Sequence, residues 1–285
     1  MAQSEERLAV FKKIAEFEEL GKFNEDVEND PPTTPLNPED VDYLNTKWIH
    51  RVQTRIANQI AKQFIHHLIR KKQLIIHDVI GYEHFTNISG GFVLTCNHFH
   101  PFDNFALHEV LLKHLKQTKK RFYKVIREGN FTFPGLYGYF FRNCDTLPLS
   151  SNFQTMKCFT QAMDTILKRG DIVLVYPEQA MWWNYRKPRP VKSGAYRYAV
   201  KANVPVVPCF ITMTDTEEIG KDGFPIQAYT LHFLSPIYPD LSLSMKDAIE
   251  KMAEINYQMW KETYETFYQV PLCYNTKGVS QNDDL

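Results

Sequence analysis

Blocks of apolar residues alternate with amphipathic stretches from about Gln73 onward. The short apolar runs predict strands at 74–77, 92–95, 123–126, 172–176, 204–211 and 229–233. Apolar residues at helical spacing predict helices at 104–116, 153–168, 193–202 and 244 to about 268. Because strands and helices alternate in this way in α/β proteins, we expect a mostly parallel sheet flanked by helices.

A further amphipathic helix is predicted near the N-terminus, where apolar residues recur at every third position. These residues are Leu8, Phe11, Ile14, Phe17 and Leu20. The acidic stretch 24–30 follows, and three prolines at 31, 32 and 35 close it. Since proline interrupts a helix, we expect this stretch to form an exposed arm.

The segment 46–72 contains seven lysines and arginines and no acidic residue. Its apolar residues recur at four-residue spacing, as Trp48, Val52, Ile56, Ile60, Phe64 and Leu68. This pattern is typical of a basic amphipathic helix that lies on an anionic membrane surface. The alternative is a helix whose apolar stripe packs on the rest of the protein while its charges are solvated.

These patterns divide the chain into three parts. Residues 1–72 form an N-terminal helical arm and the basic amphipathic helix, which we expect to be a membrane-associating segment. Residues 73–270 form the α/β domain, and residues 271–285 form a flexible tail.

Composition narrows the class of protein. At 285 residues the chain can bury a full core, and 33 basic residues balance 33 acidic ones, so we expect no nucleic acid as a partner. The five cysteines include no Cys-x-x-Cys pair, which argues against a disulfide framework and against a metal site. No signal peptide or membrane-spanning run is present, so we expect a cytoplasmic protein.

The candidate chemistry begins where the strand predicted at 92–95 ends. The chain there reads Asn-His-Phe-His-Pro-Phe-Asp, which places His98 five positions before Asp103. A histidine oriented by a carboxylate can take a proton from a weak nucleophile such as an alcohol. Two alternatives remain open: Asp103 caps the following helix, or His100 is the base.

Two later segments accompany this pair. An apolar strand ends at Pro177 and Glu178, and another strand contains Pro205 and Pro208. The loop between them carries four cations, which are either phosphate ligands or a solvated basic loop. Its two tryptophans either line an acyl pocket, touch a membrane or pack in a core. The cations are Arg186, Lys187, Arg189 and Lys192, and the tryptophans are Trp182 and Trp183.

The three segments, in this order, resemble the motifs of the glycerolipid acyltransferases, the family of 1-acylglycerol-3-phosphate O-acyltransferases. The resemblance covers roughly residues 75–235. It implies transfer of a fatty acyl group from acyl-CoA or acyl-carrier protein to the hydroxyl of a lysophospholipid, in the first place 1-acylglycerol 3-phosphate. It also implies His98 as the general base, Asp103 as its partner and no cofactor beyond the acyl thioester cosubstrate.

Two positions depart from the family pattern. Gln179 stands where the family has glycine after Pro-Glu, and no arginine follows Leu149, where the family binds phosphate. We therefore take a wider set as candidate substrate-binding residues, made up of the Pro-Glu dipeptide and nearby cations. The set is Pro177, Glu178, Lys124, Arg127, Arg142 and Lys192.

Three alternatives remain beside this reading. The same chemistry could act on a different lipid or alcohol, or the chain could be a non-catalytic protein of the same fold that binds lipid or acyl-CoA. A metal hydrolase that uses His98 and His100 is a weaker alternative, because no third ligand has a characteristic spacing. For the acyltransferase we expect peripheral association with the inner face of the membrane.

Overall fold

A single sheet of seven strands forms the centre of the computed structural model, which describes residues 2–28 and 33–276. The strands are β1 (Ile75–Ile80), β2 (Phe92–Cys96), β3 (Phe122–Ile126), β4 (Thr146–Pro148), β5 (Ile172–Val175), β6 (Val206–Ile219) and β7 (Pro225–Phe233). They lie in the order β1-β7-β6-β2-β5-β3-β4. Strands β2 to β6 run parallel, whereas β7 is antiparallel to β6. The predicted α/β fold with a mostly parallel sheet is confirmed.

Helices cover both faces of this sheet, because its strands are apolar on both sides. They are α1 (Glu5–Glu19), α2 (Trp48–Arg70), α3 (Glu83–Thr86), α4 (Asp103–Thr118), α5 (Glu128–Thr132), α6 (Gly135–Asn143), α7 (Phe153–Lys168), α8 (Gly194–Ala202) and α9 (Met245–Tyr268). One core contains Leu94 of β2 together with residues of α2 and α4. The other contains Val93 together with residues of α7, α8 and α9.

The segment after α1 packs against the loop that follows β5. Phe23 and Val27 are buried in a cluster with Trp182 and Trp183, and Trp182 Nε1 donates to the carbonyl of Glu25. The exposed arm expected at 24–30 is therefore wrong at Val27, which is buried, whereas Asn24 and Glu25 are exposed as expected. The remainder of that stretch lies outside the described residues.

Helix α2 buries only part of its apolar surface. Ala57, Ile65 and Leu68 face the protein, whereas five apolar side chains at four-residue spacing remain between 41% and 68% exposed. We call these five, Trp48, Val52, Ile56, Ile60 and Phe64, the apolar stripe of α2. Of the six residues that the four-residue spacing picked out, only Leu68 is buried, so the alternative in which they pack on the protein holds for Leu68 alone. Among the described residues, no helix has both the length and the apolar character to cross a bilayer.

Two of the described C-terminal residues, Leu272 and Tyr274, are half-buried, whereas Pro271, Cys273, Asn275 and Thr276 are exposed. Helix α9 is followed by Tyr274, whose hydroxyl donates to the carbonyl of Pro188. Most of the predicted flexible tail, residues 277–285, lies outside the described residues. The division into 1–72, 73–270 and 271–285 stays a prediction.

Candidate active site

The turn after β2 is held from both sides. Buried Asn97 donates to the carbonyl of Ile211 at 3.0 Å and accepts its N–H at 2.8 Å. The backbone N–H of His98 donates to Glu178 Oε2 at 3.0 Å. Because parallel strands β2 and β5 end at one edge of the sheet and β6 passes beside them at Ile211, side chains from three segments meet around this turn.

His98 and Asp103 form a direct pair on this turn. His98 Nδ1 lies 2.7 Å from Asp103 Oδ2, and the two side chains are 22% and 0% exposed. The N–H groups of Phe99 and His100 also donate to Oδ2, at 3.2 and 3.4 Å. The carboxylate therefore binds the turn that precedes α4 rather than capping that helix.

This geometry determines which nitrogen of His98 is open. A carboxylate that accepts from Nδ1 fixes the proton on that nitrogen and leaves the lone pair on Nε2. Since His98 is partly exposed, Nε2 can accept the proton of a hydroxyl that approaches the turn. An imidazolium formed in this way would be stabilised by Asp103.

Tyr176 completes the pair from the end of β5, and the sequence patterns gave it no role. Its ring stacks on His98 with centroids 4.0 Å apart and planes 18° apart. Its hydroxyl donates to Asp103 Oδ1 at 2.5 Å. In the sequence, the one sign of this contact is the aromatic residue at position 176, directly before Pro177, because the contact joins separate elements.

The competing histidine, His100, is in a different environment. Its Nδ1 accepts the N–H of Phe102 at 3.1 Å. Burial lowers the pKa of His100 to about 4, so the ring is neutral near pH 7. Since no carboxylate binds its ring in the described part of the chain, the arrangement favours His98 as the base.

Glu178 forms a second, buried pair with Arg189. Arg189 Nη2 donates to Glu178 Oε2 at 2.9 Å, and the side chains are 1% and 2% exposed. The N–H of Arg189 donates to Glu178 Oε1 at 2.7 Å, and Nη2 also lies 3.3 Å from the carbonyl oxygen of His98. This pair therefore holds the backbone of His98, while a contact of Glu178 with substrate stays a prediction.

Three of the four loop cations bind carboxylates. Besides Arg189, Arg186 pairs with Asp215 at 2.7 Å and Lys187 with Glu18 at 2.5 Å. Lys192 is exposed, and its N–H donates to the carbonyl of Pro177 at 2.8 Å. Within the described ranges 2–28 and 33–276, no ion pair involves the side chain of Lys192.

The other candidate cations lie in different places. Arg127 follows β3 at the same edge of the sheet as His98 and binds both oxygens of Asp26 at 2.7 Å. Lys124 lies within β3, level with Leu94, and donates to the carbonyl of Cys144. Arg142 donates to two carbonyls around α6 and lines clefts that contain neither His98 nor Asp103. Of these three cations and Lys192, the described structure brings Arg127 and Lys192 to this edge, where Arg189 also lies but is paired with Glu178.

The departure from the family pattern at Gln179 is compatible with the local backbone. Gln179 has φ +66°, in the left-handed region that glycine adopts without strain. The chain keeps this conformation with a non-glycine residue, which costs roughly 1 kcal/mol. The side chain of Gln179 is exposed next to the buried Glu178.

In the described ranges, no group of three or more His, Cys, Asp or Glu residues is placed to hold a metal ion. A proton transfer by His98 requires only the side chains already named.

The fold has a relative among solved structures. The crystal structure of the 1-acyl-sn-glycerophosphate (LPA) acyltransferase PlsC from Thermotoga maritima is similar, with a TM-score of 0.50 and 19% sequence identity. The match covers 78% of this chain and 85% of that chain. At this identity the likeness shows a shared fold.

The sequence itself gives the family. No curated protein matches the chain closely enough to count. A sequence model of the acyltransferase family matches residues 56–212, which is more than half of the chain and contains His98, Asp103 and Glu178. This match confirms the resemblance that the three motifs carry, and the chain belongs to the acyltransferase family.

Proposed function

We propose that this protein transfers a fatty acyl group from acyl-CoA or acyl-carrier protein to the hydroxyl of a lysophospholipid. The acceptor to test first is 1-acylglycerol 3-phosphate. The observation that carries the proposal is the His98–Asp103 pair, 2.7 Å apart, at the carboxyl end of a central strand in a chain of the acyltransferase family. A protein that only binds lipid would not need a base held in this way.

The reaction follows from the open nitrogen of His98. His98 Nε2 removes the proton of the acceptor hydroxyl while its oxygen attacks the thioester carbonyl. The tetrahedral intermediate then collapses, the C–S bond breaks, and the departing thiolate takes the proton from the imidazolium. Since the thioester is already activated, direct attack needs no covalent acyl-enzyme.

A lipid surface is the proposed partner of α2. The apolar stripe of α2 faces solvent, and Arg51 and Arg55, both exposed, lie on neighbouring turns. Apolar side chains bordered by cations match the interior and the anionic headgroups of a membrane surface. We propose peripheral association with the inner face of the membrane.

The apolar stripe of α2 ends next to the turn that carries His98. Phe64, at its end, contacts Phe102 and Phe105 with ring centroids 6.3 and 6.1 Å apart. Phe102 directly precedes Asp103 in the chain. A membrane that contacts the stripe would therefore lie close to the turn that carries His98, which supports a lipid acceptor.

The identity of the acceptor is the finer part of the proposal. Lys192 is the first candidate at the edge of the sheet that holds His98, since it is exposed and would form charge-assisted hydrogen bonds with a phosphate, and Arg127, which Asp26 already binds, is the second. The alternative is a phosphate-free lipid or alcohol. It is favoured by the missing arginine after Leu149 and by the ion pairs that already occupy Arg186, Lys187 and Arg189.

An acyl-transfer assay tests the reaction. The purified protein is given a panel of lysolipids with and without a headgroup phosphate, each with acyl-CoA and with acyl-carrier protein. We expect diacyl product with the wild type and none above background with His98→Ala. Product formation at the wild-type rate by His98→Ala would contradict the assigned base, and no product with any pair would favour the binding protein.

Vesicle sedimentation tests the lipid surface. Ile56→Glu removes one residue of the stripe, and Ile219→Glu changes an equally exposed isoleucine elsewhere, since the two are 50% and 53% exposed. We expect binding to anionic vesicles to fall with Ile56→Glu and with rising salt, but not with Ile219→Glu. Equal binding of the two variants would contradict the proposed face.

A further inference from the structure

Tyr176 contacts both members of the proposed catalytic pair. Asp103 accepts from His98 Nδ1 with Oδ2, at 2.7 Å, and from the Tyr176 hydroxyl with Oδ1, at 2.5 Å. The Tyr176 ring stacks on the imidazole at 4.0 Å. One side chain therefore touches the orienting carboxylate with its polar end and the base with its face.

We propose that Tyr176 is a positioning residue that tunes the His98–Asp103 pair, with its hydroxyl sharing the charge of Asp103 and its ring fixing the plane of the imidazole. The inference rests on the proposed function, in which His98 is the general base. It assigns to the residue directly before Pro177 a role in proton transfer, although that residue need not touch substrate.

The physical reason lies in how a carboxylate stabilises a neighbouring cation. Each hydrogen bond that Asp103 accepts spreads part of its negative charge, so less charge remains to stabilise an imidazolium. Burial raises the pKa of Tyr176 well above its ordinary value, so the hydroxyl stays a donor at every pH of an assay. The hydroxyl thus opposes protonation of His98 before substrate binds.

The ring of Tyr176 acts in the opposite direction to its hydroxyl, because an aromatic face attracts the imidazolium cation. Removing the hydroxyl alone therefore isolates the hydrogen bond while the stacked ring remains. Among the described residues, the charged and titratable groups around His98 include Asp103, His100, Tyr176, Glu178 and Arg189, and Cys96 and Tyr229 lie close enough to interact with Asp103.

The test compares two tyrosines. In Tyr176→Phe, the acid limb of the kcat/KM profile should move to higher pH by about half to one unit. Tyr196→Phe is the control, since Tyr196 is buried and its hydroxyl has no partner in the described structure. Its profile should match that of the wild type. A Tyr176→Phe profile that superimposes on the wild type would overturn the inference.

A second readout needs no substrate. Diethylpyrocarbonate modifies neutral imidazole, so the rate of His98 carbethoxylation against pH, measured by peptide mass spectrometry, reports its protonation directly. The same displacement is expected in Tyr176→Phe. If that variant does not fold, 3,5-difluorotyrosine at position 176 keeps the ring and strengthens the donor. The limb should then move to lower pH, and an unmoved limb would overturn the inference.

The two proposals fail in different ways. Acyl transfer by His98→Ala at the wild-type rate would reject the proposed function. An enzyme that depends on His98 but keeps its pH profile in Tyr176→Phe would reject the role of Tyr176 alone.

Discussion

Two polar pairs of similar length lie beside the same turn and differ in access to solvent: His98–Asp103, here called the open pair, and Arg189–Glu178, the closed pair. His98 and Asp103 are 2.7 Å apart, and the imidazole is 22% exposed. Arg189 and Glu178 are 2.9 Å apart, and both are at most 2% exposed. Both involve His98, because the first binds its side chain and the second binds its backbone.

The difference in exposure distinguishes a pair that substrate can reach from a pair that holds the backbone. A group that reacts needs an atom that substrate can reach, and His98 Nε2 is such an atom. The polar atoms of Glu178 are already bound by His98 and Arg189, so this pair holds the turn in place. In the proposed mechanism, Asp103 orients the base, whereas Glu178 fixes the backbone around it.

The largest expected effect is on the open pair. His98→Ala and Asp103→Ala should each lower kcat by about 10²- to 10⁴-fold, because both serve one proton transfer. The double variant should be little worse than the more damaging single variant. Steady-state kinetics measure this effect, and circular dichroism should show an unchanged fold.

His77→Ala is a suitable control for these variants, since His77 is exposed on β1. It should retain wild-type activity. A multiplicative loss in the double variant would mean that Asp103 acts separately from His98.

The closed pair should mainly affect stability. Glu178→Gln leaves the buried guanidinium of Arg189 without its countercharge, which should lower the free energy of unfolding by about 3–5 kcal/mol. The double variant Glu178→Gln/Arg189→Met should lose less than the sum of its single variants. Urea unfolding measures both quantities.

Lys246→Met is the matched control, because Lys246 pairs with Glu250 on the exposed surface of α9. This change should be nearly neutral. If Glu178→Gln were as stable as the wild type but inactive, Glu178 would belong with the reacting groups.

Three histidines other than His98 should make the free energy of unfolding depend on pH. Burial lowers the pKa of His100, His108 and His232 to about 4 in the folded protein. An unfolded histidine titrates near pH 6.5, so between about pH 6.5 and 4 the unfolded chain binds more protons. The free energy of unfolding should therefore fall as pH falls through this window, by at most about 1.4 kcal/mol per unit for each histidine.

Urea unfolding at several pH values tests this slope, and His232→Gln should make it shallower by removing one of the three groups. The depressed pKa of Asp42, about 2, stabilises the fold above the ordinary carboxyl range, and this contribution is lost only below about pH 4. An unfolding free energy that does not change from pH 7 to 5 would contradict the buried, neutral state of these rings.

Local patterns in the sequence predicted the open pair but not the closed one. His98 and Asp103 lie five residues apart, and an apolar run marks the strand before them. The contacts of Tyr176 with Asp103 and of Arg189 with Glu178 depend on how a turn and a loop pack, which no local spacing encodes. The longer helices and strands were predicted because their apolar pattern extends over many residues.

The short elements and the cations were harder to place. Strand β4 has three residues, too few for a periodicity to appear. Lys124 and Lys192 were both candidate substrate-binding cations, yet Lys124 lies within a strand, as its predicted strand implies, and Lys192 lies at the edge that carries His98. The exposed acidic arm was predicted from its charge and the prolines that follow it, while Phe23 and Val27 decided how the segment packs.

The smallest expected effect concerns the acceptor. Lys192 is exposed, so a contact with a phosphate would be partly screened by solvent. Lys192→Ala should raise the KM for a phosphate-bearing lysolipid about three- to tenfold and leave a phosphate-free one unchanged. Lys201→Ala, which alters an exposed lysine on α8, is the control, and Arg142→Ala should have the smaller effect because Arg142 lines clefts away from His98. Equal changes for both classes of lysolipid would remove Lys192 from phosphate recognition and leave Arg127, which Asp26 already binds, as the cation to test next.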